Sequence, residues 1–156
     1  MAGKYATETT VSIQRSRAEI ETVLQRYGAS QFAYLMDTEA NCAIFAFRIK
    51  RSQVRITLPM PDRSSREFTE TPSRRYARSE KDAQAAWEQA CKQRFRALLL
   101  IIKAKLEAVD CGISTLEREF LADTILPSGQ TFGQWVAPQL EDIYANGKSL
   151  PPLITA

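Results

Sequence analysis

Between Arg48 and Arg78 the chain carries nine basic residues, Arg48, Lys50, Arg51, Arg55, Arg63, Arg66, Arg74, Arg75 and Arg78, against three acids, Asp62, Glu67 and Glu70, a local charge of +6. The remaining twelve basic and fifteen acidic residues sum to −3, so a net charge of +3 conceals an uneven distribution. A guanidinium presents a planar fork that matches two phosphate oxygens, and rings such as Phe68 and Tyr76 offer a face on which a base can stack. Arginines interleaved with aromatic rings are the combination used by single-strand binders. The expected contacts are Arg51, Arg55, Arg63, Arg66, Arg74, Arg75 and Arg78, with Tyr76 as the stacking platform. Two other readings of the same charge stand beside this one: pairing with acids on the C-terminal helices, and contact with an acidic protein.

Other chemistries find less support. The chain has no histidine, which removes Ser-His-Asp and Cys-His catalysis and histidine metal sites. Cys42, Cys91 and Cys111 are odd in number and widely spaced, with no Cys-x-x-Cys pair, so they read as buried free thiols of a reducing cytosol. The carboxylates Asp37 with Glu39, Asp62, and Glu67 with Glu70 show no metal-ligand spacing, although a Mg²⁺-dependent nuclease assembled in space stays open. The few glycines form no phosphate-cradling loop. The reading is therefore a binding protein with no catalytic residue, metal or cofactor. The longest apolar run, Ala97 to Ile102, is too short for a bilayer, and the first thirty residues do not resemble a secretory leader. A cytoplasmic protein without membrane contact is expected.

The elements that must position the arginines follow from periodicity. At 156 residues the chain reads as a single domain, 1–156, with 1–10 loose, 11–60 a helix plus antiparallel sheet, 61–78 the basic loop, and 79–156 helical. Thr9 to Ile13 could add a strand. Ser16-Arg-Ala-Glu19 has capping-box spacing and opens a helix carrying Ile20, Val23, Leu24 and Tyr27, closed by Gly28. Gln31 to Met36, Cys42 to Lys50 and Gln53 to Leu58 read as three antiparallel strands, the middle one apolar on both faces and therefore covered on both. Pro59-Met-Pro61 ends the sheet, and 62–78 has neither helical nor strand period.

Ser79-Glu-Lys-Asp82 caps a helix of roughly thirty residues, about 45 Å long, that runs to Gly112. Around Ala97 to Ile102 it is apolar on every side, which calls for cover by the sheet and C-terminal helices or by a second subunit. Lys92, Arg96 and Lys103 share one stripe of it. Ser114-Thr-Leu-Glu117 opens a short helix to about Ile125, and Thr131 caps a last helix stopped by Asn146-Gly147, with Pro138 kinking or splitting it. Trp87, Phe95, Phe132 and Trp135 sit at core spacing, and the tail Leu150 to Ala156 is expected to pack along the surface. The fold class is α+β: an N-terminal helix, a three- to four-stranded antiparallel sheet, a long helix and a small helical C-terminal appendage.

The segments GASQFAYLMD, AIFAFRIKRSQVRITLPMP, AAWEQACKQRFRALLLIIKAKLEAVDCGISTLEREFL and LPSGQTFGQWVAPQLE together resemble a family of small proteins encoded by tailed bacteriophages, over nearly the whole chain. That resemblance implies a phage-encoded protein of the bacterial host cytoplasm. No active site is defined for the family, so no catalytic residue carries over. The order helix, three strands, helix is also similar to the double-stranded-RNA-binding domain and, more loosely, to Rad52-like annealing proteins. Here some twenty residues separate the third strand from the long helix, and its opening Ser79-Glu80-Lys81-Asp82 is acid-bearing, unlike the lysine-led helix of the first group. The expected partner is single-stranded DNA or RNA, bound with weak sequence specificity. The alternative is a host protein, a defence or transcription component that an accessory protein would inhibit. A homodimer or higher homo-oligomer is an open expectation.

Overall fold

A computed structural model of the chain describes residues 8–73 and 75–147. Arg74 and the tail expected to pack along the surface therefore lie outside the described residues. The element order is α1 (Ile13–Arg26), β1 (Ala29–Asp37), β2 (Cys42–Ile49), β3 (Ser52–Pro59), α2 (Arg66–Thr69), α3 (Glu80–Asp110), α4 (Leu116–Glu119) and α5 (Phe132–Ala145), with a 3-10 turn at Leu121–Asp123. This is the expected α+β arrangement.

The strands form one antiparallel sheet in the order β1-β2-β3. Phe45 lies opposite Tyr34 and Ile56, and Phe47 opposite Phe32 and Val54, so the inner face is a continuous aromatic and β-branched surface. One helical layer covers it. α1 contributes Ile20, Val23 and Leu24, and α3 contributes Cys91, Phe95, Leu98, Leu99, Ile102 and Leu106, all buried. The rings of Phe45 and Phe95 meet edge-on at 5.8 Å, and Phe47 meets Phe120 at 5.5 Å. Fully burying a ring such as Phe45 contributes about 1.5–3 kcal/mol. α1 and α3 run side by side in the same direction, since Gln89 donates to the Thr9 carbonyl at 2.8 Å and Arg96 reaches Glu19 at 2.9 Å.

Several expectations give way. α1 begins at Ile13, capped by Ser12, whose Oγ accepts from the Arg15 amide at 3.2 Å. Ser16 is instead a buried helix residue whose hydroxyl has no partner. Residues 9–12, just before α1, do not form a strand. The supplement to the sheet comes from the C-terminal side, where Thr124 pairs with Val54 and the Ile125 amide donates to Gln53 at 2.8 Å.

β2 is central but covered on one face only. Its outer residues Ile44 and Ala46 are half-buried and Arg48 is exposed, because no helix of the described residues crosses that side. Cys111 is exposed at the end of α3, contrary to the reading of all three thiols as buried. The apolar middle of α3 is not enclosed either. Leu100 and Ile101 are exposed because the sheet and α1 occupy only one side of the helix.

The predicted helix to Ile125 is instead α4, capped by Thr115, followed by the 3-10 turn and then the pairing at 124–125. Thr131 caps α5 with a complete capping box through Gln134, and the helix continues through Pro138. No residue of α5 is buried, so Trp135 is not a core residue.

Candidate nucleic-acid interface

The basic segment leaves β3 at Pro59 and is more ordered than its lack of period suggests. The Met60 amide donates to the Asn41 carbonyl at 2.9 Å, and Trp87 Nε1 donates to the Pro61 carbonyl at 2.8 Å, which ties the exit to the sheet turn and to α3. Asp62 accepts from the Ser64 amide at 2.9 Å and from its hydroxyl. Those bonds hold its carboxyl below the ordinary 3.8. Ser65 caps α2 through the Glu67 amide, and the buried ring of Phe68 anchors that short helix on α3.

A small hairpin follows. Glu70 pairs with Ala77, the Thr71 amide donates to the Tyr76 carbonyl at 2.9 Å, and the Arg78 amide to the Thr69 carbonyl at 2.8 Å. Proline at 72 and serine at 73 suit the bend between the paired strands. Arg75 and Tyr76 stand at its tip, with Tyr76 73% exposed. A phenol that projects this far with its backbone held is placed to stack on a planar ligand.

The remaining expected contacts divide. Arg63 is exposed, its guanidinium 5.9 Å above the Trp87 ring, and Arg66 is exposed beside Glu70 at 3.7 Å. Arg78 is half-buried, with Nη1 donating weakly to the Glu67 carbonyl at 3.5 Å. These belong to the hairpin end of the molecule. Arg51 does not: it lies in the β2–β3 turn, and the strand rise puts Ser52 and Pro59 about 23 Å apart along β3. Arg55 points to the helix-free face of the sheet and donates to the Gly129 carbonyl at 2.8 Å, where it fastens the C-terminal hairpin. The structure thus brings Arg63, Arg66, Arg75, Tyr76 and Arg78 onto one segment, and separates Arg51 and Arg55 from them.

Charge pairing with the C-terminal helices is not what the described arginines of this segment do. Among the described residues no carboxylate lies within ion-pair distance of Arg51, Arg55, Arg63, Arg75 or Arg78, and Arg66 meets Glu70 from its own segment. A positive field that is not neutralised locally attracts polyanions.

One cluster escaped the sequence reading. Glu19 is approached by Arg96 at 2.9 Å, Arg15 at 3.3 Å and Lys103 at 3.9 Å. The hydrogen bond from Arg96 is the chief reason its carboxyl titrates below the ordinary 4.5. Arg15 and Glu19 are four residues apart, a helical pairing visible in the sequence, and Arg96 and Lys103 lie on the stripe already assigned to α3. What the sequence did not show is that α1 and α3 are neighbours at that height. The cluster joins two helices. A cavity of about 430 Å³ opens between α1, α3 and the β1–β2 turn, walled by Ile13, Met36, Met60, Trp87 and Cys91. Burial pushes the Cys91 thiol up to about 11. Among the described residues no helix is long and apolar enough to cross a membrane.

No protein-family model, curated protein or solved structure matches this chain.

Proposed function

We propose that the protein binds single-stranded nucleic acid without catalysing a reaction, through the segment 61–78. The observation that carries this reading is the small hairpin, where Arg75 and the exposed Tyr76 stand together, while Arg63, Arg75 and Arg78 have no carboxylate within ion-pair distance among the described residues. Guanidinium groups contact phosphates and a phenol ring stacks on any base, so sequence preference is weak. Within this proposal, the resemblance to phage-encoded proteins implies that the nucleic acid is met in the cytoplasm of an infected bacterium.

The test is fluorescence anisotropy of labelled single-stranded oligonucleotides at low salt, with heparin as a polyanion that has no bases. Tyr76→Ala is expected to weaken oligonucleotide binding about 5- to 150-fold, the equivalent of 1–3 kcal/mol for one lost stacking contact, and to leave heparin binding unchanged. Absence of oligonucleotide binding overturns the proposal. So does capture of one host protein from lysate that survives nuclease treatment while oligonucleotides fail to compete.

A further inference from the structure

The cavity between α1, α3 and the β1–β2 turn has an apolar wall and a polar lip. Ile13, Met36, Met60, Trp87 and Cys91 form the wall, and its volume of about 430 Å³ lies toward the lower end of what small-ligand sites enclose, about 300–1,000 Å³. The Trp87 ring is fixed in place, since its Nε1 donates to the Pro61 carbonyl at 2.8 Å. The guanidinium of Arg63 lies 5.9 Å from the centre of the same ring. One side chain therefore belongs both to the cavity and to the start of the basic segment. A flat apolar group that enters here meets an indole on which it can stack.

The lip supplies two acceptors. Asp37 and Asn41 flank the β1–β2 turn and both line the cavity, Asp37 being the register partner of Cys42, which follows Asn41. Asp37 Oδ1 accepts from the amides of Glu39 at 3.0 Å and Ala40 at 2.8 Å, which leaves Oδ2 without a hydrogen-bond partner among the described residues. Asn41 is clamped to Met60 twice: its carbonyl accepts from the Met60 amide at 2.9 Å, and its Nδ2 donates to the Met60 carbonyl at 3.1 Å. Its Oδ1 is the atom left over. Two neighbouring acceptors select a planar edge that carries two adjacent N–H donors, because an edge of carbonyls would leave them unpaired. Among the bases, guanine has that edge in N1–H and N2–H₂, whereas thymine sets a carbonyl on each side of its one N–H.

Charge places the phosphates. The lining holds one more acid than base, Asp37 and Glu88 against Lys92, so it favours a neutral group inside over an anion. Glu88 accepts from Gln84 Nε2 at 2.6 Å, and among the described residues no carboxylate lies within ion-pair distance of Lys92 or Arg63. Those two cations are left for phosphates outside the cavity. We infer that the cavity receives one guanine of the bound strand, its ring against Trp87 and its N1–H and N2–H₂ donating to Asp37 Oδ2 and Asn41 Oδ1. The inference rests on the nucleic-acid reading and adds to it one position at which the strand is read.

The probes are an oligothymidylate of about eight residues and the same strand with one central guanine, titrated by fluorescence anisotropy at low salt. The chain has two tryptophans, so Trp135→Phe on the exposed face of α5 makes emission a report from Trp87 alone. The guanine strand is expected to bind about fivefold tighter or more, the low end for one two-bond base contact, and to quench that emission. Asp37→Asn keeps an oxygen for the turn and replaces Oδ2 by a donor, so it is expected to remove the difference between the strands; a circular-dichroism melting curve confirms that it folds. Tyr76→Ala is expected to weaken both strands and leave their ratio intact. Equal binding of the two strands overturns the inference while the nucleic-acid reading stands. A gain as large from adenine or cytosine overturns the reading of the guanine edge. Quenching by free guanosine monophosphate as strong as by the guanine strand marks a free-nucleotide site and overturns the assignment to the strand. Binding of neither strand overturns the nucleic-acid reading and this inference with it.

Discussion

The separation of the arginines into a hairpin group and a sheet group can be tested by substitution. Arg63, Arg66 and Arg75 are exposed on one segment, while Arg51 lies beyond the far end of β3 and Arg55 is engaged with the Gly129 carbonyl. If the first three each neutralise one phosphate, replacing all three by alanine removes three released counterions. For a single strand that lowers the slope of log K against log salt by about 2. Over the twentyfold span from 1 M to 50 mM salt a slope of 2 is worth about 400-fold in affinity, so the triple variant is expected to bind about 400-fold more weakly at the low end. Arg51→Ala with Arg55→Ala is expected to change affinity less than threefold for an oligonucleotide of about six residues. The assay is fluorescence anisotropy across a salt series, with circular dichroism to confirm that each variant is folded. If the double variant loses as much slope as the triple one, the interface runs along the sheet and the assignment to the hairpin is refuted.

Three further expectations concern the scaffold. Phe45→Ala removes a fully buried ring that meets Tyr34 and Phe95, and urea unfolding is expected to show a loss of about 3–5 kcal/mol; a loss below about 1 kcal/mol would contradict the packing described. Ser16→Ala removes a buried hydroxyl with no partner from the interior of α1, so a gain of about 1 kcal/mol is expected in the same assay. Glu19 titrates below its ordinary 4.5 because Arg96 donates to it, so its contribution is complete above that value and disappears as the pH falls through the lower folded value. Glu19→Gln is therefore expected to lower Tm at neutral pH, with the gap from the parent protein closing on the acid side of 4.5; a gap that persists at the lowest pH would show that the ion cluster is not its source.

Local chemistry made much of the fold legible. Ser79, Thr131, Gly28 and Gly112 act at the helix ends where their side chains, or their tolerance of positive φ, place them. The three strands pair as their turns imply. The errors arose where the sequence specifies a face but not its cover. Ile44 and Ala46 are apolar on the outer side of β2, Leu100 and Ile101 on the outer side of α3, and Trp135 on α5, and no element of the described chain arrives to enclose them. The start of α1 was misread because Ser12 and Ser16 are both serines one turn apart, and tertiary burial of Ser16 decided between them. In the candidate site, charge and composition were readable, but their distribution was not. Strand β3 carries Arg51 and the hairpin to opposite ends, and a pairing as short as Glu70 with Ala77 leaves no periodic trace.

Ultraviolet crosslinking of the full chain to a single-stranded oligonucleotide, followed by mass-spectrometric mapping of the attached peptide, tests the central claim most directly. The expected crosslinks fall within residues 63–78 and centre on Tyr76. Crosslinks confined to the α1–α3 cluster around Glu19 or to the open face of the sheet, with none in 63–78, would contradict it.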